Sequence, residues 1–307
     1  MPRLMTILLL IVIVAGASAH RAQAMNSDDW NHTDGPYGGS VQALHVGPDG
    51  LILAGTLSHG VYFTSNQGEN WLQTNLDGVS VFGFAKSVGE TFFAATQDGV
   101  YRSRDNGRSW RRTSGGMDET RVQSIMVHES GRLIAATLVG GIYISDDEGM
   151  SWTAANEGIP LKFAYTLGSH PDGEIYAGVT NRIFRSDDRG ETWTEAESDF
   201  PPVRTRAIIS NDDGVLFAAT QTGIYRSSDR GENWEEADNG LSGLELYDLV
   251  ITHENVLVAA TREGVFRSLD NGDTWDSLGL SEHPIYAVGC SAGLLVAGGN
   301  PGVFIRQ

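Results

Sequence analysis

The stretch SLDNGDTW, Ser268 to Trp275, decides the fold. It reads as a tight turn between two strands. An Asp side chain can accept hydrogen bonds from the backbone of its own turn. Gly272 can take the positive φ that a tight hairpin needs. The same phrase returns as SRDNGRSW (Ser103–Trp110), SDDEGMSW (Ser145–Trp152), SDDRGETW (Ser186–Trp193) and SSDRGENW (Ser227–Trp234). A weaker copy, TSNQGENW, runs from Thr64 to Trp71, with Asn66 in place of the Asp. Tryptophans stand at 30, 71, 110, 152, 193, 234 and 275, spaced 41, 39, 42, 41, 41 and 41 residues apart, and nowhere else. A period of about 40 residues means one supersecondary unit per repeat.

Each unit holds four short apolar runs. In the unit that carries the opening phrase they are LELYDLVI, VLVAAT, GVFRS and TWDSLG. Runs of this length, rich in β-branched and aromatic residues and cut by Gly and Asp, are strands. The second run carries an Ala-Ala or Ala-Gly pair in nearly every unit, as in LILAGT, TFFAAT and VLFAAT, which suits a crowded inner position. Four strands per unit, repeated radially, make a β-propeller blade. The expected fold is all-β, a seven-bladed propeller of four-stranded antiparallel blades. The last unit, HPIYAVGCSAGLLVAGGNPGVFIRQ, has three strands and no Trp, whereas Trp30 stands near the start with no strands before it. The N-terminal segment is therefore expected to supply the fourth strand of the last blade, which closes the ring and removes exposed sheet edges.

The first residues, MPRLMTILLLIVIVAGASAHRAQA, join Arg3, a short apolar run and two small-x-small sites, Ala17-Ser18-Ala19 and Ala22-Gln23-Ala24. These are the parts of a secretory signal peptide, and the run is short of the roughly 20 residues a membrane span needs. The expected organisation is a signal at 1–24, cleaved after Ala19 or Ala24, and a single propeller domain at 25–307. The protein is then exported, periplasmic or extracellular, with no membrane insertion after cleavage, and is expected to be a monomer. No Cys follows the run, so a lipid anchor is not indicated. The single Cys290 cannot form an internal disulfide and reads as a small core residue.

With 21 basic and 39 acidic residues the chain carries −18, and Arg3 and Arg21 lie in the leader, so the remainder is more acidic still. That excludes a nucleic-acid partner and anionic lipid surfaces, both of which need a basic face. An acidic surface with two lysines fits a saline habitat and, equally, a GC-rich genome.

The six turns in register over most of the chain resemble the Asp-box, or bacterial neuraminidase repeat. The resemblance assigns a structural role to Asn66, Asp105, Asp147, Asp188, Asp229 and Asp270 and to Trp71, Trp110, Trp152, Trp193, Trp234 and Trp275. It places these turns on the rim, away from the functional face. Each turn offers one well-placed carboxylate where calcium needs six to eight oxygens, so no metal and no cofactor is expected. In layout the chain is similar to the non-catalytic members, the photosystem II stability and assembly factors and the sortilin-like receptors. This implies a scaffold that binds a protein, peptide or other macromolecule at its channel mouth.

One column early in the first strand varies from unit to unit while the frame stays fixed: Gln42, Phe82, Gln123, Tyr165, Arg206, Tyr247 and Tyr286. These residues are the candidate binding ring, with inter-blade packing as the competing reading. Loops on the same face carry Tyr37, Arg121, Lys162, Arg204, Glu245 and His283, and Ser58, His59, Gln97, Asp98, Asn181, Arg182, Gln221, Thr222, Arg262 and Glu263. The resemblance also brings an enzymatic alternative, a sialidase-like or xyloglucanase-like glycoside hydrolase with a glycan ligand. Arg121, Arg182, Arg206 and Arg262 would then face a sugar carboxylate, with Tyr247 or Tyr286 as nucleophile. Against it, the Arg-Ile-Pro of sialidases is missing, the blade count is seven rather than six, and no catalytic residue stands out. HESGR and HENVL lack the second His of a zinc protease motif, and no Gly-x-Ser-x-Gly, phosphate loop or zinc Cys pair occurs.

Overall fold

A computed structural model describes residues 29–37, 39–196, 200–241 and 243–307. The signal expected at 1–24 lies outside these residues.

The described chain forms seven four-stranded antiparallel sheets. Blade 1 runs Val41–Val46, Ile52–Thr56, Gly60–Thr64 and Leu72–Gln73. The inner strands of blades 2 to 6 are Val81–Lys86, Val122–Val127, Ala164–Ser169, Thr205–Ser210 and Leu246–Ile251. Blade 7 consists of Ile285–Ser291, Leu294–Gly299 and Val303–Arg306, and its outer strand is Asn31–His32 from the other end of the chain. Asn31 pairs with Ile305 and His32 with Phe304. Each inner strand packs against those of both neighbouring blades, from the first blade round to the seventh and back. The ring is closed as expected.

The second strands explain their own composition. Ile52–Thr56 and Leu257–Thr261 are buried at every residue. A strand covered on both faces has no solvent side, so its sequence is a continuous apolar run rather than an alternation. The small pair is set by the next blade. A Cβ on Gly55 would lie 2.6 Å from Val81 Cγ1, and one on Gly298 would lie 2.6 Å from Val41 Cγ1. Bulk at this point would drive neighbouring blades apart.

The Asp turns join third to fourth strands and share one geometry. Ser103 Oγ donates to Asp105 Oδ1 (2.7 Å) and accepts from Gly107 N (2.9 Å). Asp105 Oδ1 accepts from Ser109 N (2.9 Å), and Oδ2 accepts from the Ser109 hydroxyl (2.6 Å). Gly107 has φ +77, and a Cβ there would lie 2.6 Å from Leu53 Cδ2 of the preceding blade. The weaker copy behaves alike: Asn66 Oδ1 accepts from Thr64 Oγ1 (2.7 Å) and Asn70 N (3.1 Å). These contacts shift titration. The Ser151 hydroxyl, then its N–H, holds the Asp147 carboxyl down at about 2. Both carboxylate oxygens of Asp105 are engaged by their own turn, which accounts for the repeated phrase.

Each Trp then covers the preceding blade. Trp152 Nε1 donates to Thr113 O (2.8 Å), Trp193 to Ala155 O (3.1 Å) and Trp275 to Ala237 O (2.8 Å). Trp30 does the same to Leu278 O (2.8 Å), so the N-terminal strand brings the seventh tryptophan with it.

Candidate functional site

Strand register fixes which loops share a face. The first residue of each inner strand pairs with the last of the second, as Val41 with Thr56. The loops entering the inner strands therefore lie beside the second-to-third-strand turns, at one mouth of the channel. The Asp turns lie at the opposite end. Several mouth turns are locked by a buried Thr that the sequence reading did not single out. Thr56, Thr96, Thr137 and Thr261 each donate Oγ1 to a glycine carbonyl across the turn, at 2.8 to 3.0 Å.

All seven residues of the candidate ring sit at one backbone feature. The register slips between Val41 and Ala43, Val81 and Gly83, Val122 and Ser124, Ala164 and Thr166, Thr205 and Ala207, Leu246 and Asp248, and Ile285 and Ala287. The residue skipped is the candidate in every blade: Gln42, Phe82, Gln123, Tyr165, Arg206, Tyr247 and Tyr286. A β-bulge leaves one residue without a partner on the neighbouring strand and re-aims its side chain. All seven are partly exposed, while the residue before each is buried.

Ring residues meet loop and ring residues of the next blade. The Arg121 guanidinium lies 5.4 Å from the Phe82 ring centre, and Arg204 lies 3.9 Å from that of Tyr165. Arg206 is 5.9 Å from the Tyr247 ring and donates Nη2 to Glu245 Oε1 (3.2 Å). Tyr247 donates its hydroxyl to Glu245 Oε2 (3.1 Å) and meets Tyr286 edge-on at 5.0 Å. Gln42 donates Nε2 to Ser40 Oγ (2.9 Å). Burial, then the hydrogen bond to Glu245, pushes the Tyr247 phenol up. Burial, then the positive charge of Arg206, pulls Arg204 below the usual arginine range.

Other loop candidates are not drawn in. Arg182 turns outward to Glu195 Oε1 of the outer strand (3.0 Å). His283 stacks on Phe304 at 5.1 Å. Ser58, His59, Asp98, Asn181, Gln221, Thr222, Arg262, Glu263 and Lys162 stay exposed, and Gln97 is partly covered. Large apolar side chains are exposed on this face at Tyr37 (78%), Leu57, Val139, Leu161 and Phe163.

A second cluster lies at the opposite end, between blades 4 and 5. His170, Asp172 and Glu174 bring one ligand-type atom each to within 4.8 Å of one another. His170 Nε2 is 3.0 Å from Gly214 O, and its Nδ1 is 3.1 Å from Glu174 Oε2. Arg230, from the Asp turn of blade 5, pairs with Asp172 and with Glu174 Oε1 (2.8 Å). The arginine answers both carboxylates, and the cluster ties two blades together. The sequence spacing of His170, Asp172 and Glu174 was visible, but Arg230 lies 56 residues beyond Glu174. Cys290 is half-buried, its Sγ 3.4 Å from Ile251 O, and burial pushes its thiol up.

A closed seven-bladed propeller with a variable, aromatic- and arginine-bearing mouth defines the class. The DUF6242 beta propeller domain matches residues 100–212 and again 175–286, together more than half of the chain, and the protein belongs to that family. Among solved structures it is similar to YCF48 bound to D1 peptide, with 17% identity, a TM-score of 0.73, and coverage of 91% of this chain and 95% of that one. YCF48 from Cyanidioschyzon merolae is 16% identical, with a TM-score of 0.71 over 91% and 98% of the two chains. Virginiamycin B lyase from Staphylococcus aureus is 12% identical, with a TM-score of 0.76 over 90% and 97%. At these identities the likeness is one of fold. An oligoxyloglucan-reducing end-specific xyloglucanase of Emericella nidulans is 32% identical over 93 residues, which span 25% of this chain and only 12% of that enzyme.

Proposed function

We propose that this protein is an exported, non-catalytic propeller of the Asp-box type that holds a protein or peptide segment at its channel mouth, as a scaffold or assembly factor does. The observation that carries this reading is the composition of one face. Four aromatic ring residues, three arginines lying beside three of them and five exposed apolar side chains share the mouth, on a chain whose net charge is −18. Aromatic residues and Arg are what protein interfaces concentrate, and Lys and acidic residues are what they shed. YCF48, similar in fold, has been solved with a peptide bound, which supports the class of ligand but not its identity. The Asp-box reading rests on the shared turn geometry, and export rests on the leader sequence.

The test places a photo-crosslinking residue at Gln42 or Gln123 and, as control, at exposed Leu72 on an outer strand. Specific adducts from the native secretome at the mouth positions alone support the reading. Equal labelling at Leu72 refutes it.

A glycoside hydrolase remains the second reading, favoured by the Tyr247–Glu245 hydrogen bond beside Arg206 and by the xyloglucanase similarity. Turnover of fluorogenic sialosides or β-glucans that disappears in Tyr247→Phe would establish it.

A further inference from the structure

We propose that the groove between blades 6 and 7, on the face that carries the Asp turns, is the docking site of residues 25–28 of the same chain. There the segment takes the place of a seventh turn.

Elsewhere each blade boundary on that face is covered by the Asp turn of the following blade. A Cβ on Gly68 would lie 2.4 Å from Thr33 of blade 7, and one on Gly272 would lie 3.1 Å from Ala237 and 3.8 Å from Phe217 of blade 5. Register carries the comparison to the last boundary. Val258 pairs with Arg267 as Phe217 pairs with Arg226, and Trp30 donates to Leu278 O as Trp275 does to Ala237 O. Val258 and Leu278 thus lie where blade 5 has Phe217 and Ala237. Among the described residues blade 7 has no Asp turn to cover them, because its outer strand comes from the other end of the chain. A largely apolar cavity of about 750 Å³ stands there instead, lined by Val256, Val258, Leu269, Leu278, Cys290 and Leu295 among others. Exposure marks the same gap. Ile52, Phe92, Leu133, Ile175, Leu216 and Leu257 each pair with the Ser or Thr that opens a turn, and all are at most 1% exposed. Leu295 pairs with Arg306 in the same register and is only partly buried, and Leu269 is 53% exposed.

The occupant follows from chain direction. In the other blades the residues that run into the tryptophan are the turn itself. In blade 7 the tryptophan is Trp30, and the residues that run into it are 25–29. Asp29 fixes where they arrive: its Oδ2 accepts from Arg306 Nη2 at 3.2 Å, and Arg306 holds the register position of a turn serine. Counting back from the tryptophan, Ser27 falls at the place of Gly272, and Met25 at that of Asp270. Four extended residues reach about 13 Å, enough to lie along the groove from this anchor. With no Asp or Gly at those places, the segment cannot repeat the turn's own hydrogen bonds. Apolar burial must hold it, and Met25 supplies a flexible thioether chain of the kind that fills irregular apolar gaps. Cleavage after Ala19 or after Ala24 leaves all four residues attached.

The experiment uses the full chain expressed with its own leader, its N-terminus read by mass spectrometry after purification. A benzophenone amino acid replaces Leu269, an exposed position that tolerates the change, and adducts are mapped by peptide mass. In parallel, Cys290, the single thiol, reports cover over the groove through its rate of reaction with N-ethylmaleimide. Met25→Asp is compared with wild type and with Val88→Asp, a change at a 97% exposed residue of blade 2, after melting curves confirm folding. The expected adduct lies within one chain and joins position 269 to the peptide that contains residues 25–28. Met25→Asp is expected to speed thiol labelling about ten-fold, equivalent to about 1.4 kcal/mol of lost cover, and Val88→Asp to leave it unchanged. An adduct that joins two copies would give the groove to a second copy, and an adduct to another protein would give it to a partner. Either result overturns the proposal, as does the lack of any adduct to residues 25–28 or a labelling rate that Met25→Asp leaves unchanged.

Discussion

Replacing Trp234 tests whether the repeated turn holds the blades together. The indole is 8% exposed and packs with Tyr176, Ile208, Leu216 and Phe200 between blades 4 and 5. Phe200 meets it edge-on at 5.3 Å, and Nε1 donates to Gly231 O at 3.1 Å. Trp234→Ala removes the whole ring from a site that neighbouring strands cannot close, and buried aromatic truncations of this kind cost about 3–5 kcal/mol. The hydrogen bond contributes about 1 kcal/mol of that and the aromatic pair about 0.5–1.5 kcal/mol. Trp234→Phe keeps most of the packing and loses the N–H, so it should cost about 1–2 kcal/mol. Leu72→Ala, on an exposed outer strand, should stay within about 0.5 kcal/mol. Urea unfolding followed by fluorescence gives all three. The ordering matters more than any single value. A Trp234→Ala cost below about 1.5 kcal/mol, or a Phe variant as damaged as the Ala variant, would refute the role assigned to the turn.

Other expectations follow from single contacts. Asp248 lies on the inner strand of blade 6, where Oδ2 accepts from Val288 N (3.0 Å) and Oδ1 from Leu249 N (2.9 Å), and burial raises its carboxyl to about 6. Between about pH 4 and 6 the folded state keeps a proton that the unfolded state has released, so this group's contribution to stability falls as pH rises. Because the residue keeps some exposure, we expect Asp248→Asn to gain about 1–2 kcal/mol relative to wild type on going from pH 4 to pH 7. Parallel unfolding profiles for the two proteins would contradict this. Gly107→Ala should lower the melting temperature by several degrees, because it adds both a strained φ and a clash with Leu53; an unchanged melt would show that the turn can relax. Asn31→Pro removes a donor from the closing strand, and limited proteolysis should then release the N-terminal segment first. Uniform digestion would argue that blade 7 is held by other contacts.

The frame was legible because it is local and repeated. Ser-x-Asp-x-Gly and its Trp fall within eight residues, and their hydrogen bonds close within the same span. Ring closure was legible for a related reason: Trp30 had no strands of its own, and blade 7 lacked a tryptophan. The site was legible in part. Comparing blades found the seven variable residues but not why they are exposed, since a bulge is a property of two strands in register and leaves no mark in either sequence. The stacking of Arg204 on Tyr165 was hidden because it crosses a blade boundary some forty residues wide. For the same reason the pairing of Arg230 with Glu174 could not be read from the sequence. Arg182 and His283, equally plausible from position, were turned away by Glu195 and Phe304.

The bulge explains how one scaffold can carry a variable site. A residue inside a regular ladder shares its place with a partner on the next strand, so changing it disturbs a cross-strand pair. A bulged residue has no such partner, and the buried residue before it keeps the blades in contact whatever follows. Val41, Val81 and Val122 precede Gln42, Phe82 and Gln123, and all three are fully buried. The neighbouring second strand is small at the matching point, where Gly55 faces Val81. Packing and display are thus carried by adjacent residues of the same strand. Seven substitutions at seven bulges would change what the mouth displays at little cost to the ring, whereas one change a residue earlier costs the ring and leaves the mouth as it was.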